Sequence, residues 1–244
     1  MELESKHLVT SRTPAEVKKR VATGVPGLDP LIEGGIQVGD FVLLAGGVGA
    51  GKTTFCAQYI ANAIKLYNEP AVFATFEEDI RSLKSNILRY GIDLAALEDT
   101  GKLKLLDLEV LEGSGMGANI EALLSAVDEV QAKRLVVDSL TAFLSGAKEK
   151  FDYNFMMHLI YKTLKRESIT TIMTVSKSQN SMEAASAVEE FIADGIFQLE
   201  NYVNQHMELK TRFIVRKMRG TDHNRKYHTV AFTQNGVEII PWSP

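Results

Sequence analysis

The sequence has a single cysteine, Cys56, and this scarcity excludes an internal disulfide and a cysteine-rich zinc site. It has no apolar run of membrane-spanning length, and its first residues lack the apolar stretch of a signal peptide, so we expect a cytoplasmic protein without a membrane segment. Positive charge is not in excess, because 31 acidic and 27 basic residues give a formal charge of −4. This balance provides no global attraction to nucleic acid or anionic lipid.

The length and composition fit one domain. A chain of 244 residues with 45% hydrophobic content can build a single α/β core, and it shows no internal repeat or low-complexity segment. Residues 1–22 are polar, and residues 13–16 have the pattern of a helix start. We therefore expect an N-terminal arm or short helix at residues 1–22 and one α/β domain at residues 23–244.

A glycine-rich segment at residues 46–53 fits the phosphate-binding loop, which is Gly, four residues, and then Gly-Lys-Ser/Thr. An apolar strand pattern at residues 41–45 precedes it, and a helical pattern follows it from Thr54. Glycines let successive backbone N–H groups turn toward a phosphate, and the helix N-terminus adds a positive dipole end. We expect a nucleoside triphosphate to be bound by Gly47, Val48, Gly49, Ala50, Gly51, Lys52, Thr53 and Thr54.

Two side chains of this loop have distinct expected roles. Lys52 would contact the β- and γ-phosphates, and the Thr53 hydroxyl would be a Mg²⁺ ligand. Residues 135–138 form an apolar strand that ends in Asp138, as in a Walker B strand, and Asp138 would hold Mg²⁺ directly or through water. The alternatives are a glycine-rich turn with an accidental lysine and a surface aspartate at a strand end.

Hydrolysis also needs a group that orients or deprotonates water. Glu77 and Glu78 follow a predicted strand at residues 71–76, and the carboxyl ends of neighbouring parallel strands share the ligand crevice of open α/β sheets. Alternatively, the two acids only complement the dipole of the next helix. A basic cluster at residues 216–223 could stabilise the charge of phosphoryl transfer, or it could be a solvated strand end.

The alternation of apolar runs and helical patterns from residue 41 predicts parallel strands joined by helices. After Gly195 the pattern changes to four strands in near succession, which we interpret as an antiparallel edge. The predicted strands are residues 41–45, 71–76, 103–106, 134–137, 169–175, 196–199, 209–215, 228–233 and 237–240. The fold class is therefore α/β, with a mostly parallel twisted sheet flanked by helices and an antiparallel C-terminal edge.

Taken together, these motifs resemble the KaiC-like branch of the RecA-fold ATPases over about residues 23–240. The motifs that carry the resemblance are Thr23-Gly24-Val25-Pro26-Gly27-Leu28-Asp29 with Gly34-Gly35-Ile36, the phosphate loop, Glu77-Glu78, residues 135–139, residues 188–195 and residues 217–223. The resemblance implies a RecA-like P-loop NTPase core. It also implies ATP with Mg²⁺ bound between neighbouring subunits of a ring, expected to be hexameric, and slow hydrolysis.

The resemblance also assigns roles to individual residues. Glu77 and Glu78 match the family's catalytic glutamates, Lys217 and Arg219 match residues that reach the next subunit's γ-phosphate, and His223 would lie near the sugar or base. The circadian-clock member carries two such domains, whereas this sequence has one and no tail for clock partners, so we do not expect a clock role. Nor do we expect autokinase activity, because the positions of that member's modified residues are Glu190 and Phe191 here, which lack hydroxyls.

We therefore predict a homo-oligomeric ATPase that acts as a regulatory or signalling switch, with no identified protein partner. One alternative is a recombinase-like DNA-binding ATPase, but the loops after residues 138 and 175 hold few bases and aromatics, so nucleic acid is not expected. Another alternative is a nucleotide-sensing module with negligible turnover, against which the two glutamates argue.

Overall fold

The computed structural model describes residues 19–110, 115–145, 150–176 and 192–242. Within them, a nine-stranded sheet has the order β11-β10-β9-β8-β3-β7-β6-β4-β5, and a separate pair joins β1 to β2. The strands are β1 Arg20–Val21, β2 Ile36–Gln37, β3 Phe41–Gly46, β4 Ala71–Thr75, β5 Leu103–Asp107, β6 Arg134–Asp138, β7 Thr170–Ser176, β8 Gly195–Val203, β9 Leu209–Met218, β10 His228–Thr233 and β11 Gly236–Pro241.

Helices cover both faces of this sheet. They are α1 Lys52–Tyr67, α2 Ile80–Leu88, α3 Leu94–Asp99, α4 Gly115–Val130, α5 Leu140–Leu144 and α6 Lys150–Arg166. Asp79, Asp93 and Ser139 cap the starts of α2, α3 and α5, because each side chain accepts a hydrogen bond from a backbone N–H of the first turn. α1 ends where Asn68 takes a left-handed conformation, with φ of 57°.

The sheet divides the hydrophobic core into two clusters. One lies on the α1 face and includes Phe55, Phe73 and Phe197, and the other includes Leu43 and Val137. Central parallel strands are buried on both faces, which explains their uninterrupted apolar runs. The place of Cys56 on the apolar face of the helical pattern after the loop predicts a core residue. The structure confirms this, because Cys56 is fully buried in the first cluster, and burial raises the pKa of its thiol.

The predicted fold class is confirmed. Strand β3 pairs in parallel with β7 and β8, and the parallel order continues through β6, β4 and β5. β8, β9, β10 and β11 then pair antiparallel, as the change of pattern after Gly195 predicts. The helices α3 and α5 are short and were not predicted. The helix-start pattern at residues 13–16 and the positions Glu190 and Phe191 lie outside the described residues.

One burial prediction is wrong. The spacing of apolar residues in α1 predicts that Tyr67 lies on its buried face, but Tyr67 is 41% exposed. Its ring lies instead beside the guanidinium of Arg134, 5.6 Å from the ring centroid, at the end of the helix. In the part of the chain that the structure describes, no helix has the length and apolarity needed to cross a bilayer.

Candidate functional site

The phosphate loop leaves the carboxyl end of β3 and enters α1. Gly49 and Gly51 have φ values of 72° and 87°, which residues with a Cβ rarely adopt, so the local fold requires glycine at both positions. Gly51 is also the N-cap of α1 and adds no side-chain hydrogen bond to the first turn. Backbone N–H groups at this helix start can therefore turn toward an anion.

Lys52 and Thr53 lie on the first turn of α1, directly after the loop. The Lys52 Nζ atom donates hydrogen bonds to the carbonyl oxygens of Gly46 and Gly47, each at 3.0 Å, so its ammonium lies at the inside of the loop. The Thr53 hydroxyl donates to Asp138 Oδ2 at 2.6 Å. The structure thus brings together the two residues that the sequence predicts as metal ligands.

Asp138 ends β6 and is buried, with 6% of its surface exposed. The Thr174 hydroxyl donates to its second oxygen, Oδ1, at 2.5 Å. Burial raises the pKa of Asp138 above its ordinary value, although the hydrogen bonds from Thr174 and Thr53 and the charge of Lys52 oppose the increase. A bound cation would favour the ionised carboxylate further.

The donors at this position fit Mg²⁺. Thr53 and Asp138 supply hard oxygen atoms next to the phosphate loop, and Mg²⁺ in such sites takes its other ligands from phosphate oxygens and water. Among the described residues there is no cluster of three or more His, Cys, Asp or Glu side chains that could hold a metal without a substrate. A Mg²⁺ ion that arrives with the triphosphate suits this sparse set.

The two candidate glutamates occupy different places. Glu77 accepts a hydrogen bond from the Ser139 hydroxyl and lines a cleft of about 540 Å³ together with Lys52, Thr53 and Asp138. The Glu78 carboxylate instead accepts a hydrogen bond from Asn86 Nδ2 and lines an adjoining cleft. The geometry therefore favours Glu77 over Glu78 as the group that faces the phosphates.

The adjoining cleft has a volume of about 700 Å³ and is lined by Tyr90 and Phe232 as well as Glu78. Tyr90 and Phe232 also border the phosphate cleft, so the two spaces adjoin. The Phe232 ring lies over Gly51, where an added Cβ would lie 2.4 Å from the ring. An aromatic-lined space beside a phosphate loop has the chemistry to hold a nucleobase.

Lys217 and Arg219 lie at the end of the strands opposite the phosphate loop. Met218 pairs with Gly195, Gly195 pairs with Val42, and the loop begins only after Gly46. Four residues at the rise of a strand separate the level of Met218 from the start of the loop by about 13 Å. In addition, β9 lies two strands, or about 10 Å, to the side of β3. The structure therefore does not bring Lys217 and Arg219 to the phosphate loop of their own chain.

Arg219 and His223 have partners at that end of the strands. Arg219 Nη1 contacts the Ile192 carbonyl at 3.4 Å and Asp194 Oδ1 at 3.5 Å, and about half of the arginine side chain is exposed. His223 Nδ1 lies 3.3 Å from the Thr221 carbonyl oxygen. Both residues belong to the segment that follows β9, at the end of that strand away from the phosphate loop.

Sequence reasoning missed Tyr90, Phe232, Asn86 and Thr174. Each is an ordinary helix, strand or turn residue in its local pattern, and only the tertiary fold brings it to the loop. Ser139 directly follows Asp138, and this position predicts a nearby hydrogen bond; its partner in the structure is Glu77.

Known proteins resemble this chain in family and in fold. The family model for the KaiC ATPase matches residues 21–243. The circadian clock oscillator protein KaiC of Acaryochloris marina is 31% identical over 245 residues, which cover 97% of this chain and 47% of that protein. UPF0273 protein MJ1359 of Methanocaldococcus jannaschii is 31% identical over 238 residues, which cover 91% of this chain and 97% of that protein.

Solved structures include a similar chain. The crystal structure of the KaiC-like protein PH0186 from Pyrococcus horikoshii has a TM-score of 0.83 and 34% sequence identity, and the match covers 92% of this chain and 100% of the other. This chain spans about half the length of the clock oscillator proteins that it matches. It spans nearly all of the Methanocaldococcus jannaschii protein.

Proposed function

The chain belongs to the KaiC family of ATPases, and on that basis we propose that it binds and slowly hydrolyses ATP at the interfaces of a homo-oligomeric ring. We propose six subunits for this ring. Each site would combine the phosphate loop of one subunit with the basic turn at residues 217–223 of its neighbour. The nucleotide state would then act as a regulatory or signalling switch by changing the shape of the ring.

One observation carries the proposal of a shared site. Lys217 and Arg219 match residues that act on a γ-phosphate in the family. In this structure they lie at the end of the strands opposite their own loop. A cation more than about 10 Å from the phosphates gives them little stabilisation through solvent. If these side chains act in hydrolysis, a second subunit must present them.

The residues of one subunit have separable roles in this proposal. Lys52 would bind the β- and γ-phosphate oxygens, while Thr53 and Asp138 would hold the Mg²⁺ that neutralises charge on the same phosphates. Glu77 would orient a water molecule behind the γ-phosphate and accept its proton. Ser139 would hold the Glu77 carboxylate in place through its hydroxyl.

The nucleoside would occupy the cleft lined by Tyr90 and Phe232. Stacking on aromatic rings contributes about 1–3 kcal/mol per base and requires no particular base. This cleft adjoins the phosphate loop, which supports binding of a complete nucleotide rather than of inorganic phosphate alone.

Solution mass and turnover together test the proposed function. Light scattering gives the mass with and without ATP, and phosphate release is measured over a hundredfold range of protein concentration. We expect a ring-sized mass with ATP and a rate per subunit that rises with concentration until assembly is complete. A monomer at all concentrations with undiminished turnover would contradict the shared site, and a ring without measurable phosphate release would indicate a nucleotide-sensing module.

A further inference from the structure

We propose that Gln37 is a positioning residue for the shared ATP site, because its side-chain amide fixes the turn that carries Arg219. This inference rests on the proposed function, in which Arg219 acts on a neighbour's γ-phosphate. Gln37 ends the short β2 strand, and its side chain contacts the turn that carries Arg219. Its role would be to set the direction in which Arg219 leaves the subunit.

The Gln37 side chain is buried, with 7% exposed, and points its amide at the turn. Its Nε2 atom donates to the Gly220 carbonyl oxygen at 3.0 Å and lies 3.5 Å from the Arg219 carbonyl oxygen. Gly220 has a φ of 62°, and an added Cβ there would lie 3.2 Å from Gln37 Nε2. The amide therefore packs directly on the backbone of the turn and bonds to it.

Arg20, on the partner strand β1, holds the next part of the same turn. Its Nη1 atom donates to Thr221 Oγ1 and to the Gly35 carbonyl, both at 3.0 Å, and its Nη2 atom lies 3.5 Å from the Gly220 carbonyl oxygen. The paired strands β1 and β2 thus contact consecutive residues of the turn from one side. A planar guanidinium with several fixed donors is well suited to such a clamp.

Asp194 holds the turn from the other side. Its carbonyl oxygen accepts the Arg219 N–H at 2.8 Å, and its carboxylate accepts a hydrogen bond from Lys165 Nζ at 2.6 Å. Burial lowers the pKa of Lys165, but the hydrogen bond to Asp194 and the charge of Asp40 more than offset this, so its pKa is raised. Asp194 is therefore held by Lys165 through its carboxylate, and its carbonyl oxygen restrains the Arg219 backbone.

These contacts hold the backbone of the turn at Arg219 and Gly220. The Arg219 side chain contacts Asp194 Oδ1 at 3.5 Å and the Ile192 carbonyl at 3.4 Å, near the upper limit of hydrogen-bond distances. A preset backbone reduces the entropy lost when the guanidinium aligns with a phosphate. Loosening the turn should lower turnover without affecting ATP binding by the same subunit.

The test uses Gln37→Met, which keeps the length of the buried side chain and removes its donors. We expect the rate per subunit to fall about tenfold to a hundredfold, as for a misplaced catalytic group, with ATP affinity little changed. Thr221→Val removes the acceptor of Arg20 and should cause a smaller loss in the same direction. The matched control is Gln58→Met, because Gln58 is also buried and bonds the Val237 backbone at 3.0 Å, far from the turn.

Mixing distinguishes a positioning role from a structural one. A Gln37→Met chain has an intact loop, so co-assembly with a Lys52→Ala chain, whose turn is intact, should restore hydrolysis several-fold. Gln58→Met should lower the Tm. Any loss of hydrolysis that it causes should not be rescued by mixing with Lys52→Ala, since Gln58 belongs to the subunit whose loop binds ATP. In an Arg219→Ala background, Gln37→Met should cause no further loss.

The outcomes separate the two proposals. If Arg219→Ala hydrolyses ATP at the parent rate, the shared site itself is wrong. If Arg219→Ala loses activity but folded Gln37→Met keeps it, or loses it without rescue, the shared site stands and the role of Gln37 is wrong. Should Gln37→Met fail to fold, the same comparison applies to Thr221→Val, and an unrescued loss there contradicts the positioning role.

Discussion

The carboxylate of Glu77 accepts a hydrogen bond from the Ser139 hydroxyl, directly after the strand that ends in Asp138. This contact places one of two adjacent glutamates beside the phosphate loop. Glu78 turns instead toward Asn86, in the cleft that we assign to the nucleoside. Two residues with the same chemistry therefore have different surroundings, and their roles can be separated experimentally.

Glu77→Gln should stop hydrolysis, with a loss of about 10²–10⁴-fold, because the amide cannot accept a proton from water. Glu78→Gln should lower the rate less than about tenfold, because its side chain faces away from the phosphates. Phosphate release under saturating ATP measures both rates, and both variants should bind ATP like the parent. A larger loss for Glu78→Gln than for Glu77→Gln would contradict this assignment.

Asp138→Asn should separate stability from activity. Folding raises the pKa of Asp138 above its ordinary 3.8, so the stability that this group contributes declines as the pH rises from 3.8 through the raised pKa. At pH 7 a neutral side chain avoids the cost of burying the charge, and we expect the Tm not to fall. Hydrolysis should fall about 10- to 100-fold with weaker dependence on Mg²⁺. A lowered Tm with unchanged turnover would contradict both parts.

Phe232→Ala should weaken ATP binding about tenfold by removing a stacking surface for the base. Binding of inorganic tripolyphosphate, which has no base, should stay the same. Leu209→Ala is a suitable control, since Leu209 is 71% exposed on β9 and does not line the cleft. Calorimetric titration of the two ligands gives the comparison, and equal losses for ATP and tripolyphosphate would show that Phe232 supports the loop rather than the base.

Incubation with ATP should produce no phosphate adduct on the protein. By the resemblance, Glu190 and Phe191 occupy the positions of the clock member's modified residues, and neither has a hydroxyl that could attack a γ-phosphate. Ser178, Ser181 and Ser186 lie nearby in the sequence and are the substitutes to check. Intact-mass measurement over time provides the check. An adduct that grows with time and is absent in Lys52→Ala would show a self-modifying kinase.

The loop and the fold could be predicted because their signals are local. Glycines at positions that need a positive φ, a lysine on the first helical turn and an aspartate after an apolar strand identify Gly49, Gly51, Lys52 and Asp138 without any tertiary information. The change from alternating to consecutive strands after Gly195 likewise predicts the antiparallel edge. The roles assigned to these side chains in hydrolysis stay predictions.

The remaining features depend on contacts between distant parts of the chain. Gln37 and Gly220 are 183 residues apart, and neither has a local pattern that reveals the hydrogen bond between them. Phe232 occupies an ordinary strand position, and only the placement of β10 brings its ring over Gly51. Tyr67 fits a buried helical face by spacing, but the packing at the helix end leaves it half-exposed beside Arg134.

The central claim is that each ATP site is built from two subunits, and mixing two inactive variants tests it most directly. Lys52→Ala should lack phosphate binding but keep an intact basic turn, whereas Arg219→Ala should keep the loop and lack the cation that acts on the neighbour. Each variant alone should hydrolyse ATP poorly. Co-assembled at equal amounts, they should recover a substantial part of the parent rate, because some interfaces pair an intact loop with an intact Arg219. No recovery in mixed rings of confirmed composition would contradict the shared site.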